Sequence, residues 1–380
     1  MQVTTTRPTR VSGGGKNSRK VLVVVDNAPA RIERIHKVVN TLKNRGYVVN
    51  VAYPRGLESL PEYGNVPIIS VSRPPFLHYL VFTLFLFLNL VSNPPDAAHF
   101  VSLPDVAVLA IVFARKLRGF RFIYDRRAAF STIVEHRHKR LGFIARALEN
   151  LAFSSADAIV VVVPAFEREL ARFKSKLLFV PNGVSLAEFR PRKVRRRGAP
   201  TVLVVAALTY VEGIDVFIKA AKLVRGRVPR ARFVVVGDGE YAHELQRLNE
   251  TLQRPVQFAG WVPFDEIPSR INEADICASC VLPTIFTDYA YPVKLFEYLA
   301  CRKPVVVSNI RGHVELVRDG KDALVYDANS PADLTRKIIR LIKDRNLRGR
   351  LASNGYTLAK RYSWENCSQD LTRGYESILA

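Results

Sequence analysis

The stretch YPVKLFEYLACRKPVV (291–306) concentrates groups that can handle an anion. Pro292 stands where a helix would begin. The first amides of a helix have no partner inside it, so they and the positive end of the dipole attract negative charge. Lys294 adds a full positive charge at the same place, and Glu297, one turn further on, brings a carboxylate able to accept two hydroxyl groups. Asp288 precedes this stretch, and Gly237 and Asp238 lie in the strand-and-turn segment ARFVVVGDGE. Two cations, Arg126 and Arg127, follow a strand expected over 121–124, and Asp26 and Asn27 follow one expected over 21–25. The chain holds no DxD triplet, so no such carboxylate pair offers itself to a metal ion, and no metal site or cofactor is expected. Cys277 and Cys280 have metal-ligand spacing, but no second CxxC or histidine pair follows, which leaves them as a strand end.

These groups need a scaffold. Residues 21–25 form a short β-branched run of the kind that fills a parallel sheet buried on both faces. A helix over 31–44, ended by Gly46, and a strand over 48–52 complete a βαβ unit. The alternation continues through strands at 98–101, 121–124, 158–162 and 176–180, with helices at 106–117 and 133–154. FRPRKVRRRGAP (189–200) interrupts it with six basic residues, two prolines and a glycine, and reads as a linker. A second series follows, with strands at 201–208, 231–236, 256–258, 275–278, 304–307 and 323–326. Its helices are expected at 213–224, 241–252, 263–273, 292–301 and 313–317. The expected fold is α/β: two doubly wound parallel-sheet domains facing each other across a cleft at the carboxyl ends of their strands. The boundaries read as a disordered lead-in at 1–19, a first domain at 20–185, a basic linker at 186–200, a second domain at 201–360 and a tail at 361–380.

The chain has 380 residues, 48% of them hydrophobic, with 57 Lys and Arg against 34 Asp and Glu, a net charge of +23. Such apolar content excludes intrinsic disorder, and the charge favours polyanionic partners. Four cysteines are too few to staple a chain of this length, which places it in a reducing, cytoplasmic compartment. The apolar segment 76–91 makes ~24 Å of helix, short of the ~30 Å a spanning helix needs. It reads either as a buried helix or as an element dipping into one leaflet through Phe76, Tyr79, Phe82, Phe85 and Phe87. The basic clusters at 136–140 and 192–197 would add ~1 kcal/mol per charge toward an anionic membrane surface, in keeping with a peripheral position at the inner face. Nucleic acid is disfavoured, because the basic runs lack interleaved aromatics and no recognition motif occurs.

FVPNGVSLAEFRP (179–191), VVVGDGE (234–240) and YPVKLFEYLACRKPVV (291–306) together resemble glycosyltransferase family 4 enzymes of the GT-B fold. The resemblance implies a retaining, metal-independent transfer of a sugar from a nucleotide-diphosphate-sugar donor to a glycan or lipid-linked acceptor. It implies that Glu297 holds the ribose and that Gly237, Asp238, Tyr291, Pro292, Val293 and Leu295 line the donor pocket, closed by the segment carrying Arg311. Asp26, Asn27 and Arg126 would lie on the acceptor side, and the tail with Trp364 would cross back to the first domain. Arg127, Lys294 and Asp288 take the catalytic positions. Four positions depart from the family pattern. Ala207 and Glu212 replace an arginine and a lysine that stabilise the leaving diphosphate, Tyr289 replaces an acid that Asp288 stands beside, and Arg127 replaces a histidine. Losing one such donor costs ~3 to 4 kcal/mol. Arg126, Arg127, Lys294 and Arg311 are the expected compensators. The alternative is a catalytically weakened GT-B-fold protein that binds a nucleotide or glycan as partner of an active transferase.

Overall fold

The β-branched runs become two all-parallel sheets in the computed structural model, which describes residues 19–25, 33–54, 64–68, 75–101, 106–127, 130–137, 139–194, 198–285, 287 and 291–380. The first sheet contains β1 (Lys20–Val24), β2 (Val48–Pro54), β3 (Gly64–Ile68), β4 (Ala97–Val101), β5 (Arg121–Arg126), β6 (Ala158–Val161) and β7 (Leu177–Phe179), in the order β3-β2-β1-β4-β5-β6-β7. The second contains β8 (Thr201–Val205), β9 (Arg232–Val236), β10 (Gln257–Phe258), β11 (Ile276–Ser279), β12 (Val305–Ser308) and β13 (Leu324–Tyr326), in the order β10-β9-β8-β11-β12-β13. In both, the order reverses beside the first strand, and that switch point opens a crevice at the carboxyl ends.

Alternation along each strand serves two cores. Val21 and Val23 face the helix Glu33–Asn44 and the C-terminal helix Trp364–Leu379, whereas Leu22 and Val24 face a layer that includes Phe82, Leu86, Val108 and Ile111. The C-terminal helix returns to the first sheet, where Trp364 Nε1 donates to Thr41 Oγ1 at 2.9 Å and Tyr375 OH meets His99 Nδ1 at 2.7 Å. Beneath it, Arg34 Nε donates to Asp125 Oδ2 at 2.9 Å and Nη2 to the Val180 carbonyl at 3.1 Å, tying the first helix to the chain just before it crosses between sheets. Burial opposes the charge on Asp125, but Arg34 and His99 outweigh it and hold the carboxyl below the usual range.

Several elements differ from the expectation. The helix expected over 133–154 is two, Phe130–Arg137 and Gly142–Ser155, because Gly142 lets them approach closely: a Cβ there would sit 2.9 Å from Glu135 Cβ. The structure adds β3, whose Pro67 is tolerated because the strand lies at the sheet edge. It also adds the helices Pro331–Lys343 and Arg345–Arg361, capped by Ser330 and Asp344.

The apolar segment becomes the helix Pro75–Ser92, with Phe82, Leu86 and Leu90 fully buried. The opposite side presents Leu77, Leu80, Leu84 and Leu88, of which Leu80 and Leu84 are 55% and 54% exposed. Among the described side chains the exposed row is therefore mainly leucine, with Tyr79 beside it, and the side chain of Phe76 lies outside those described. Phe82 is core, Phe85 and Phe87 are half-buried, and Tyr79 lies at the margin of the row. Among the described residues, no helix is long and apolar enough to cross a membrane. All four cysteines are free and buried. Burial pushes the thiol of Cys280 up to about 12, so the CxxC spacing belongs to the end of β11.

Candidate active site

Three loops converge at the carboxyl ends of the second sheet. After β8, the chain 206–213 turns back along the loop after β9: Leu208 N donates to Asp238 O at 2.9 Å, and Tyr241 N to Leu208 O at 2.9 Å. Gly237 makes this approach possible. Its φ is 135°, and a Cβ would lie 1.8 Å from the Ala206 carbonyl oxygen. Gly213 (φ 63°) performs the same service against the Cys280 carbonyl and opens the helix Ile214–Arg227. The third element is the helix Val293–Ala300, which starts at Pro292. Proline has no side-chain acceptor; its carbonyl accepts from Leu295 N at 3.0 Å, and the amides of Val293 and Lys294 before it receive no side-chain cap.

The helix Val293–Ala300 is joined to the loop after β8 by an ion pair between Lys294 Nζ and Glu212 Oε2, their side chains 15% and 19% exposed. Glu212 thus stands where a second cation was expected and engages the nearest compensating one. Glu297, one turn inward, is 7% exposed, and Leu295 is fully buried beneath it. Asp238 is exposed, and its Oδ1 accepts from Gly239 N at 2.8 Å. Trp261, 72% exposed, follows Gly260, whose carbonyl accepts from Gly237 N at 2.8 Å. It sets an indole beside the same turn, a feature not anticipated from the sequence.

A buried polar chain supports the ends of β11 and β12. His313 Nδ1 lies 2.9 Å from the Ser308 carbonyl and therefore carries the proton, while Nε2, 3.0 Å from Ser279 Oγ, accepts. Burial lowers the imidazole pKa to about 3, so the ring is neutral. Glu315, just beyond, receives Arg311 Nε at 3.0 Å and, from the other sheet, Arg168 Nη2 at 2.7 Å. Arg168 lies in the helix Pro164–Glu169 after β6, and Glu315 follows the helix Arg311–Val314 after β12, so the carboxyl ends of the two sheets face one another. Tyr291 is buried against this pair, and burial, with Tyr362 and Glu315 nearby, raises its phenol above the usual range.

The structure brings together Gly237, Asp238, Tyr291, Pro292, Val293, Lys294, Leu295 and Glu297. Arg311 is nearby but paired with Glu315. Arg126 is turned away from the cleft. The strand expected to end at 124 continues through Arg126, which pairs with Val161, and its fully buried guanidinium stacks over Phe166 at 4.2 Å and reaches Glu169 at 2.9 Å. Arg127, half-buried, follows directly. Asp26, Asn27 and Asp288 lie outside the described residues.

Comparison with known proteins gives this geometry a family. Residues 187–358 match the glycosyl transferases group 1 family and residues 32–183 the glycosyl transferase 4-like domain. The chain belongs to these glycosyl transferases, with two Rossmann-like domains in the GT-B arrangement. It is 27% identical over 230 residues to an uncharacterized glycosyltransferase of Methanocaldococcus jannaschii, covering 60% of this chain and 61% of that protein. To the N,N'-diacetylbacillosaminyl-diphospho-undecaprenol alpha-1,3-N-acetylgalactosaminyltransferase of Campylobacter jejuni it is 26% identical over 253 residues, 62% of this chain and 65% of that one. These stretches span less than two thirds of the relatives' own length. The fold is shared with Anabaena HepE, solved in complex with UDP, at 16% identity and a TM-score of 0.75 over 95% of this chain and all of that one.

Proposed function

We propose that the protein transfers a sugar, with retention and without a metal, from a nucleotide-diphosphate-sugar to a lipid-linked or glycan acceptor. The observation that carries this reading is the convergence of Glu297, the uncapped start of Val293–Ala300 and the Gly237 turn at one end of the second sheet. There, the amides of Val293 and Lys294 face the diphosphate, Glu297 accepts the ribose hydroxyls, and Trp261 offers a face to the base. Arg127, from the first sheet, supplies positive charge on the acceptor side. The phosphate of the leaving nucleotide takes the acceptor's proton as the new bond forms on the same face. A lipid-linked acceptor accords with the leucine row of Pro75–Ser92 and with exposed Phe113 and Leu117 on the helix Ala107–Arg118 packed beside it. Lys116 and Arg118 lie on that neighbouring helix, which gives the apolar face the cations an anionic leaflet attracts. Incubation with labelled UDP, GDP and ADP sugars tests the reading, and absence of both binding and donor hydrolysis across the panel refutes it.

A second reading is a donor-binding protein with weakened transfer. It draws support from the engagement of Lys294 by Glu212, of Arg311 by Glu315 and of Arg126 inside the first domain. Restoring the family cations, Ala207→Arg with Glu212→Lys, separates the two. A large gain in turnover marks a weakened site, and no gain marks an alternative geometry already in use.

A further inference from the structure

The second sheet is covered unevenly. On one face Val202, Val204, Phe233 and Val235 pack under the helices Ile214–Arg227 and Pro331–Lys343. On the other, the carboxyl end of β8 is covered by Val293–Ala300, whose Tyr298 hydroxyl accepts from Val205 N at 2.8 Å, and its start by Ile267–Glu273, whose seven residues make about 10 Å of helix and cannot reach across β9 and β10. A groove of about 1140 Å³ remains, with Leu203, Val234 and Val236 among its apolar lining. It reaches the starts of β8 and β9, at Thr201 and Arg232, the opposite ends from those that carry Glu212 and Gly237.

Its walls are strongly basic. Arg232, Arg270, Arg302, Lys303, Arg345 and Arg348 line it, and the linker adds Arg192 and Lys193, against only Glu273 and Asp275. Asp275 is already occupied, accepting from Thr201 N at 3.0 Å. Lys303 and Arg348 donate to the carbonyls that end neighbouring helices. Arg232 and Arg345 have no ion-pair partner among the described residues. Arg302 sits at φ 55°, a left-handed conformation that costs a side-chain-bearing residue about 1 kcal/mol and that glycine would adopt freely. Holding so many like charges around one cavity raises the energy of the apo protein, and a multivalent anion relieves it.

We propose that this groove is a second anion site, separate from the donor site, for a ligand bearing two or more phosphates next to an apolar or planar portion. The cations take the phosphates, and Leu203 and Val234 take the remainder. The volume slightly exceeds that of ordinary ligand pockets, leaving room for both portions. Phosphate of this kind comes either free, as in a polyphosphorylated metabolite, or on a lipid headgroup.

The test uses the full chain and inorganic tripolyphosphate in calorimetry at physiological ionic strength. Three proteins are compared: the wild type, Lys294→Gln, and Arg232→Gln with Arg345→Gln. One saturable site, retained in Lys294→Gln and weakened at least tenfold in the groove variant, supports the proposal. Restoration by Arg232→Lys would show that charge, not packing, was lost. Arg345 is exposed at a helix start, so Arg345→Gln alone serves should the double variant melt early. Sedimentation with phosphatidylcholine vesicles, with and without phosphatidic acid, assigns the source. Release of the groove variant from phosphatidic acid points to a headgroup, and unchanged sedimentation points to free phosphate. Binding that disappears in Lys294→Gln and persists in the groove variant overturns the proposal, as does lack of saturable binding or a clear preference for single-stranded RNA over tripolyphosphate. Nucleotide affinity is read separately, so failure of the donor-site reading leaves this result intact.

Discussion

Replacing Glu212 by glutamine tests whether the acid beside Lys294 works against donor binding. The two side chains are in contact and only 19% and 15% exposed, so the pair is partly shielded from solvent. A diphosphate at the start of Val293–Ala300 would bring like charge to about 5 Å from the carboxylate, which at an effective dielectric of ~20 costs roughly 3 kcal/mol. Allowing half for solvent reaching the pair and for the neutralising ammonium leaves about 1.5 kcal/mol, roughly tenfold in Kd. Glu212→Gln removes that cost and releases Lys294 to the ligand. Calorimetry with UDP, GDP and ADP is expected to show about tenfold tighter binding for whichever base the site accepts. The gain should shrink in ~0.5 M salt, where screening is stronger. Unchanged affinity would refute the argument by showing that the acid does not face the diphosphate. Weaker affinity would refute it differently, by showing that Glu212 positions Lys294 for the ligand.

Three further outcomes are expected. Glu297→Ala should weaken nucleotide binding by about 1.5 to 3 kcal/mol, the range for hydrogen bonds to a charged group, and unchanged affinity would remove Glu297 from the ribose. Leu80→Gln with Leu84→Gln should release the protein from anionic vesicles at least tenfold without lowering its melting temperature, since both side chains are half-exposed. A fall in melting temperature without release would make the row structural. His313 stays neutral in the fold down to about pH 3, whereas the unfolded chain protonates it near pH 6.5. Stability should therefore fall as pH drops between those values, by up to ~1.4 kcal/mol per pH unit. His313→Gln should flatten that slope; an unchanged slope assigns the acid sensitivity elsewhere, to groups such as Asp125 that are lost at lower pH.

The alternation of β-branched runs with helical periods made both sheets legible, and the helix start at Pro292 was legible because proline and the following pattern are local signals. What the sequence concealed was set by contacts between distant segments. Glu212 and Lys294 are 82 positions apart, and their pairing depends on how the loop after β8 folds toward the helix after β11. Arg126 looked like a cleft cation because its strand was expected to stop two residues sooner. In a sheet buried on both faces, each added pair sends one more side chain into a core, and the phenylalanines at 153 and 166 received this one. The break before Gly142 was hidden in the same way, since the need for glycine comes from Glu135 across the turn. Leucines and aromatics alternate all round the segment 76–91, so its sequence pattern marks no single exposed row. Only the direction of the core decides which side of a uniformly apolar helix remains exposed.

Whether the carboxyl end of the second sheet holds a nucleotide is decided by a crystal structure with a bound nucleoside diphosphate. The expected result is the diphosphate on the amides of Val293 and Lys294, with both ribose hydroxyls on Glu297. A nucleotide bound elsewhere, with Glu297 untouched, would contradict it.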